Sequence, residues 1–380
     1  MIKDAFMDRH IGPTAEEKAK MLKVIGVKTM EELIEKTIPA TIRMSKPIDL
    51  PEGETEGEYL AEVRELLERN KIFKSYIGMG YYATYVPPVI MRNVFENPGW
   101  YTAYTPYQAE ISQGRLEALL NYQTMISSLT GMPIANASML DAATAAGEMM
   151  LMFYNSRSRE AVKNNVNKYF VSEDVFVHTL AVLKTNAEPL GIELVVGKAD
   201  KIELDDTYFG VMIQYPNQHG AIHDFSEFTQ KAKQKNIFVG VDADLLSLTL
   251  LTPPGEWGAD CVTGATQRFG IPMGYGSSAA GYFACKEEFK RQIPGRIIGI
   301  SVDAEGNKAY RMALQTREQH IKRERATSNI CTASALNAIM SGFYGMWHGP
   351  DGLKKKAHKI NVLAAVLEKE AEKYGYKQYN

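Results

Sequence analysis

Short apolar runs alternate with helix-like segments between residues 168 and 241. Four runs rich in β-branched and aromatic residues predict strands, and an amphipathic pattern over residues 225–234 predicts a helix. The predicted strands cover residues 168–172, 192–196, 208–214 and 237–241. Apolar strands separated by helices are typical of a mainly parallel sheet with helices on both faces. The pattern therefore predicts an α/β protein.

Helical periodicity dominates on either side of this region. Apolar residues recur every three or four positions over residues 114–131, and a second apolar helix is predicted over residues 329–347. Residues 1–75 contain three capping-box patterns separated by helix-breaking prolines. The three pairs are Thr14 with Glu17, Thr29 with Glu32, and Thr55 with Glu58. This pattern indicates a helical arm that wraps or docks, without a core of its own.

A glycine-rich stretch runs from Gly258 to Gly281. Its glycines permit tight turns and a close approach of the backbone to another surface. Such a segment could cradle a phosphate with its amide groups, or it could be a structural crossover between a strand and a hairpin. The residues alone leave both interpretations open.

Two loops rich in tyrosine precede the sheet region. Residues 76–88 combine tyrosines and glycines with two prolines, and residues 100–108 are again aromatic and polar. Ordered loops of this kind place phenol hydroxyl groups at a cleft, where function often concentrates. Alternatively, the tyrosines anchor the loops to a core and keep their hydroxyl groups wet. Because the two loops lie close together in sequence, we favour a binding site.

The composition excludes several classes of protein. The 380 residues carry a net charge of −2, which gives no general electrostatic case for binding nucleic acid or an anionic membrane. No apolar run reaches the roughly 18 residues that span a bilayer. Cys261, Cys285 and Cys331 form no CxxC pair and are expected to be reduced. We therefore expect a cytoplasmic protein without nucleic-acid or membrane partners.

Candidate chemistry lies at the end of one predicted strand. Asp242 and Asp244 follow residues 237–241, where ligands of open α/β sheets bind. A functional carboxylate and a turn or capping aspartate are equally good interpretations. Small residues at 136–148 likewise suit a ligand at a helix N-terminus or close helix packing. No metal site is predicted, because His219 and His223 form only a loop pair.

Long blocks of the sequence resemble a known family. They include residues 76–82 (Tyr-Ile-Gly-Met-Gly-Tyr-Tyr), 97–108, 253–260, 267–276 (Gln-Arg-Phe-Gly-Ile-Pro-Met-Gly-Tyr-Gly) and 313–324. The chain resembles the P-protein family of the glycine cleavage system, glycine dehydrogenase (decarboxylating). The match is to the N-terminal half, which is a separate subunit 1 in some bacteria.

The resemblance implies the fold of type I pyridoxal-phosphate enzymes, a mainly parallel central sheet covered by helices. It implies glycine decarboxylation with transfer of the aminomethyl group to lipoylated H-protein. It also implies a homo- or hetero-oligomer whose partner is the C-terminal half, or subunit 2. The predicted domains are then a helical arm over 1–75, a large α/β domain over 76–325, and an interdomain helix with the start of an incomplete C-terminal small domain over 326–380.

The match fails at one position that the chemistry needs. In the catalytic half of the family, a His-Lys dipeptide precedes the Phe-x-Ile-Pro-x-Gly run, and this lysine forms an imine with pyridoxal phosphate. The matching residues here are Thr266 and Gln267, and a carboxamide cannot form an imine. The resemblance therefore implies that no catalytic residue lies on this chain alone. Gln267 and Asp242 would line a vestigial cofactor pocket, and the partner half would bind the cofactor.

By the same resemblance, tyrosines of this half approach the cofactor of the partner. Tyr101, Tyr104 and Tyr107 are the candidates for the channel of the substrate or lipoyl arm, and Asp242 would be a relic or a structural acid. The alternative is a degenerate scaffold that docks H-protein or a partner subunit without contributing to catalysis. An independent enzyme that uses Lys184 is disfavoured, because Lys184 does not occupy the strand-to-loop position that an imine lysine needs.

Overall fold

The protein is described by a computed structural model that covers residues 12–102, 106, 108–276, 278–314, 319–326 and 334–378. The chain divides into two units, Met1–Tyr76 and Ile77–Asn380. The first contains three helices, and the second contains the sheet.

Threonine caps fix the start of each helix in the first unit. The helices are α1 (Ala15–Ile25), α2 (Met30–Thr37) and α3 (Glu56–Glu68). Complete capping boxes join Thr14 to Glu17 and Thr55 to Glu58, as predicted. The box predicted at α2 is incomplete, because the Glu32 carboxylate accepts a hydrogen bond from the Lys28 amide at 2.7 Å instead of from Thr29. None of these helices contains a buried residue.

A seven-stranded sheet organises the second unit in the order β1-β7-β6-β5-β4-β2-β3. The strands are β1 (Ile134–Ala135), β2 (Lys168–Ser172), β3 (Glu193–Gly197), β4 (Tyr208–Tyr215), β5 (Phe238–Ala243), β6 (Cys261–Ala265) and β7 (Gly281–Cys285). Strands β2 to β6 are parallel, whereas β7 is antiparallel to β6 and to β1. The predicted mainly parallel sheet is confirmed.

One predicted strand boundary is wrong in a way that affects the site. Strand β5 continues to Ala243, because its ladder with β4 extends through the pairs Gln214–Asp242 and Tyr215–Ala243. Asp242 therefore belongs to the strand and does not follow it. Asp244 is the first residue beyond the strand.

Helices cover both faces of the sheet. The α-helices described in the second unit are α4 (Pro88–Ile90), α5 (Pro98–Tyr101), α6 (Gln113–Thr130), α7 (Ala142–Asn155), α8 (Arg159–Lys163), α9 (Val177–Ala187), α10 (Ser226–Gln234), α11 (Gln319–Lys322) and α12 (Ala335–Glu372). As predicted, α6 ends at a left-handed Gly131. Helix α12 is broken at Gly349, just before Pro350. Within the described residues, no helix is both long and apolar enough to cross a bilayer.

The core alternates between the two faces of each strand. Successive strand residues point to opposite sides, so Val262 packs in the cluster of α6 and α12, whereas Cys261 packs in the cluster of α7 and α9. In the second cluster, a Cβ at Gly147 of α7 would lie 2.5 Å from Asn186 Nδ2 of α9. The small residues of α7 therefore allow close helix packing, one of the two interpretations that the sequence left open.

A two-stranded hairpin, β8 (Ile297–Val302) with β9 (Lys308–Ala313), is fixed to α6 by two glutamines. Gln123 Oε1 accepts from Ile298 N at 2.7 Å, and its Nε2 donates to Ile298 O at 3.2 Å. Gln113 pairs with the Tyr310 peptide group in the same way, with both distances at 2.8 Å. Each side-chain amide thus bonds one backbone residue reciprocally, as a neighbouring strand would.

Candidate functional site

Asp242 is a buried acid near the carboxyl end of β5. It pairs in register with Gln214 of β4 and Thr263 of β6, and it is only 3% exposed. Among the described residues, neither Asp242 Oδ1 nor the buried Thr263 Oγ1 takes part in a hydrogen bond of good geometry. Burial raises the pKa of Asp242 to about 7; the nearby Thr263 hydroxyl lowers it, and the Asp141 charge raises it. The edge of the sheet thus holds a carboxyl group with an unused oxygen.

Three further titratable side chains, Asp141, Tyr81 and His178, interact electrostatically with Asp242 or with one another. Asp141 caps α7, and its Oδ1 accepts from Thr144 N at 2.7 Å. The rings of Tyr81 and His178 have centroids 5.7 Å apart. Burial raises the pKa of Tyr81, and the charges of Asp141 and Asp242 raise it further. Burial lowers the pKa of His178, and the Asp141 charge opposes this shift.

Gln267 closes this edge two residues after β6. Its Nε2 donates to Tyr82 O at 2.7 Å and to Ile271 O at 3.0 Å. Its Oε1 lies 3.4 Å from Tyr82 N, a longer contact. The side chain is 2% exposed, so a buried carboxamide is engaged with the backbone on both of its polar ends.

Arg268 connects the second acid to residues 77–87, called the tyrosine loop below. Its guanidinium group pairs with Asp244 Oδ2, and its central carbon lies 4.6 Å from the centre of the Tyr82 ring. Asp244 Oδ1 accepts from Leu246 N at 3.2 Å. Asp244 therefore both stabilises the turn after β5 and holds Arg268 beneath the loop.

The glycine-rich stretch crosses here from parallel β6 to antiparallel β7. Gly264 has φ 155°, and a Cβ at this position would lie 2.3 Å from Ala243 O. This close approach lets the Tyr282 hydroxyl of β7 donate to Ala243 O at 2.7 Å. The geometry supports the interpretation of the stretch as a structural crossover.

A separate cleft of about 1220 Å³ opens at the carboxyl ends of β2 and β4. Its lining combines lysines and acids with His219 and His223, and it includes Gln214 but neither Asp242 nor Gln267. In the described part of the chain, no three His, Cys, Asp or Glu side chains are placed to hold a metal ion.

The whole described second unit is similar to known proteins, and so is most of the first. A family model for the glycine cleavage system P-protein matches residues 8–380. The chain belongs to this family. Glycine dehydrogenase (decarboxylating) of Flavobacterium johnsoniae is 54% identical over 377 residues, which are 99% of this chain and 40% of that protein. The chain thus spans about two fifths of the length of the curated relatives it matches.

Solved structures give the same assignment. A crystal structure of glycine decarboxylase (P-protein) of the glycine cleavage system, in an inhibitor-bound form, is 38% identical with a TM-score of 0.82. The match covers 93% of this chain and 82% of that one. A sphingosine-1-phosphate lyase of Burkholderia pseudomallei is 13% identical with a TM-score of 0.56, a likeness of fold alone. The chain has the type I fold of pyridoxal-phosphate enzymes, as its resemblance to the family implied.

Pyridoxal phosphate would need three groups at this site: an amine for its aldehyde, an acid for its ring nitrogen and donors for its phosphate. Asp242 fits the second requirement, because its Oδ1 is buried and has no partner among the described residues. Gln267 offers no amine, and its Nε2 already donates to two carbonyl groups. Asp141 caps the N-terminus of α7 and places a carboxylate where a phosphate would bind such a helix end. The described residues of this edge therefore do not fit the cofactor.

The structure brings two of the predicted site residues together and places a third elsewhere. Asp242 and Gln267 lie on neighbouring strands and loops of one edge. Tyr101 ends α5 and is 50% exposed, and no hydrogen bond or ring contact among the described residues joins it to that edge. Tyr104 and Tyr107 lie outside the described residues.

Five residues of the edge were not singled out from the sequence, and one of them, His178, lies in no pattern that would have marked it. Tyr81 and Tyr82 stand in a loop that was identified only by its composition, and Arg268 lies inside the glycine-rich stretch. Asp141 followed by Thr144 is a helix-capping pattern that could have been recognised. It was grouped instead with the small residues that surround it.

Proposed function

We propose that this chain is the non-catalytic half of a glycine decarboxylase. With a lysine-bearing C-terminal half, it would decarboxylate glycine and pass the aminomethyl group to lipoylated H-protein, as part of a cytoplasmic homo- or hetero-oligomer. The observation that carries the proposal is Gln267. It stands where the resemblance places the Schiff-base lysine, and its amide is committed to the backbone of Tyr82 and Ile271.

Two coverages compare the length of this chain with the lengths of its relatives. The chain accounts for 40% of its Flavobacterium relative but for 82% of one solved P-protein chain. Proteins of this family therefore include chains of a length similar to this one, beside others more than twice as long. The first figure supports a further half that would supply the rest of the enzyme.

In the assembled enzyme, pyridoxal phosphate on the partner half would supply the electron sink that decarboxylation of an amino acid needs. This chain would supply part of the surface that the substrate or the lipoyl arm contacts. We assign Tyr101, with Tyr104 and Tyr107 of the same segment, to the channel for the substrate or the lipoyl arm. Tyr101 supports this by its position, since a half-exposed phenol at the end of α5 is free to meet a partner.

The test is glycine–bicarbonate carbon exchange with H-protein and pyridoxal phosphate present. The chain would be assayed alone, the lysine-bearing half alone, and then both together. We expect exchange only in the mixture, since each half lacks a part of the site. A matched control replaces Tyr154, a half-buried tyrosine of α7 remote in sequence from the segment, with Phe, beside Tyr101→Phe.

Exchange by this chain alone would refute the assignment of Gln267 as a non-catalytic residue. Full exchange by the lysine-bearing half alone would favour the scaffold hypothesis, in which this chain only docks other proteins. Loss of exchange in the Tyr101→Phe mixture, with the Tyr154→Phe mixture unchanged, is the result expected for a channel tyrosine.

A further inference from the structure

The carboxamide of Gln267 links two loops that are far apart in sequence. It bonds Tyr82 of the tyrosine loop through Nε2 at 2.7 Å and Oε1 at 3.4 Å, across 185 positions of sequence. We propose that Gln267 is a positioning residue, which fixes the tyrosine loop over the carboxyl edge of β5 and β6. The inference rests on the proposed function, in which this face of the chain meets the lysine-bearing half.

Ile271 O is the second point of attachment. It accepts from Gln267 Nε2 at 3.0 Å and from the Thr84 hydroxyl at 2.6 Å. Ile271 N in turn donates to Gln267 O at 3.0 Å, which holds the turn of the glycine-rich stretch closed. Tyr82, Thr84 and Ile271 are therefore joined through one buried amide and one hydroxyl. Without Gln267, Tyr82 O loses this donor and Ile271 O keeps only Thr84.

The segment just before Tyr82 has a backbone that needs such support. Gly78, Met79 and Gly80 all have positive φ, at 67°, 57° and 86°. A left-handed conformation is unfavourable for methionine, and it persists only where the surroundings determine it. Phe176 limits the other side, because a Cβ at Gly80 would lie 3.0 Å from its ring. The strained turn is thus held between Phe176 and the Gln267 attachment.

The hydrogen bonds of Gln267 hold in place an exposed part of the tyrosine loop. Tyr81 and Tyr82 are 43% and 39% exposed, although Gln267 beneath them is almost fully buried. The equivalent bonding of Gln123 to Ile298 fixes a residue that is itself buried in the core. Gln267 therefore orders exposed tyrosine side chains that a partner could contact. Gln123 instead orders a residue that packs in the core. The two glutamines therefore provide a matched pair for an experiment.

The experiment compares Gln267→Glu and Gln267→Met with the control Gln123→Glu, in the full chain, by amide hydrogen exchange corrected for intrinsic rates. In its ionised form, the side chain introduced by Gln267→Glu places a carboxylate against two carbonyl oxygens and removes both donors, and Gln267→Met removes them at any pH. We expect exchange in residues 78–84 to rise on the order of tenfold to a hundredfold, because a buried carbonyl group loses its donor. Gln123→Glu should raise exchange in the β8–β9 hairpin and leave residues 78–84 as in the wild type.

Acid pH provides a rescue that a purely structural defect would not show. Once protonated, the carboxyl group introduced by Gln267→Glu regains one hydrogen for Tyr82 O, so protection of residues 78–84 should return in that variant as the pH falls. Gln267→Met cannot regain a donor and should stay unprotected at every pH. Unchanged protection of residues 78–84 in both Gln267 variants at neutral pH would overturn the proposal. Equal loss across the whole chain would also overturn it, since that result means general destabilisation.

The exchange assay with the lysine-bearing half completes the test. A loss of glycine–bicarbonate exchange in the Gln267→Glu mixture that is relieved at lower pH, relative to wild type at the same pH, supports the role of the loop in the complex. Wild-type activity of a mixture whose loop is shown to be loose would overturn that role. An inactive wild-type mixture would instead reject the proposed function, and hydrogen exchange on the chain alone would still decide whether Gln267 orders the loop.

Discussion

Two buried aspartates at opposite ends of neighbouring strands have opposite surroundings. Asp260, just before β6, accepts from Lys286 Nζ at 2.8 Å, from Lys233 Nζ, and from Val239 N at 2.8 Å. Asp242, near the end of β5, has an Oδ1 that takes part in no hydrogen bond of good geometry among the described residues. At the amino edge of the sheet a buried charge is fully compensated, whereas at the carboxyl edge a buried acid is left unsatisfied. The first arrangement serves stability, and the second marks the edge where type I enzymes do chemistry.

Removing Asp260 should cause the largest loss of stability. Asp260→Ala leaves the Val239 amide without its acceptor and two partly buried lysines without their counter-charge, so we expect a loss of about 3 kcal/mol in the free energy of unfolding. Urea denaturation measures it. The control is Glu227→Ala, which breaks an exposed pair with Lys231 and should produce no measurable change. Equal effects of the two variants would contradict the comparison.

Asp242→Asn should act in the opposite direction. The folded-state pKa of Asp242 is raised to about 7 from a usual value of 3.8, so the folded chain binds an extra proton between these values. Its contribution to stability is therefore lost as the pH rises from about 4 to about 7. At pH 8 the asparagine variant should be more stable than wild type, by at most about 4 kcal/mol, and near pH 4 the two should converge.

Urea titrations of wild type and Asp242→Asn at a series of pH values test this prediction. The difference between the two chains isolates Asp242, because every other titrating group is common to both. A constant difference from pH 4 to pH 8 would show that Asp242 does not titrate with a raised pKa. It would also remove the contrast with Asp260.

The smallest expected effect is that of restoring an amine. Gln267→Lys should produce no glycine-dependent release of CO2 by this chain alone, because Asp141 still occupies the N-terminus of α7 and opposes a phosphate. Radiolabelled CO2 release with pyridoxal phosphate and H-protein present measures it. The unmodified chain mixed with the lysine-bearing half is the positive control. Activity of the single variant would show that the carboxyl edge is a complete site lacking only its lysine.

Local signals in the sequence predicted the elements but not their long-range bonds. Strand β2 lies where its apolar run predicted it, and α6 ends at Gly131, because hydrophobic periodicity and capping are properties of neighbouring residues. Asp242 was predicted from its place at a strand end, although β5 includes it. The attachment of Gln267 to Tyr82 joins residues 185 positions apart, and no local pattern encodes it.

The hypothesis that Gln267 replaces an imine lysine comes only from the resemblance to the family. A glutamine in a glycine-rich loop carries no chemical signal by itself, and only the expected lysine makes Gln267 notable. The residues assigned to the channel were predicted on a different basis from Gln267. Tyr101 was predicted from an aromatic segment whose companions Tyr104 and Tyr107 lie outside the described residues, so this part of the candidate site stays a prediction.

Glutamine carries on its side chain the same donor and acceptor pair as the main chain. The side chains of three glutamines therefore hydrogen-bond the backbone as a neighbouring strand would, at places where no strand is present. These are Gln113, Gln123 and Gln267. A lysine at position 267 could donate hydrogen bonds to the two carbonyl groups but could accept none, and a leucine could do neither. By the resemblance, the position that holds a reactive amine in the catalytic half holds here a carboxamide that bonds the backbone of two loops, and we expect this one side chain to decide whether those loops move together.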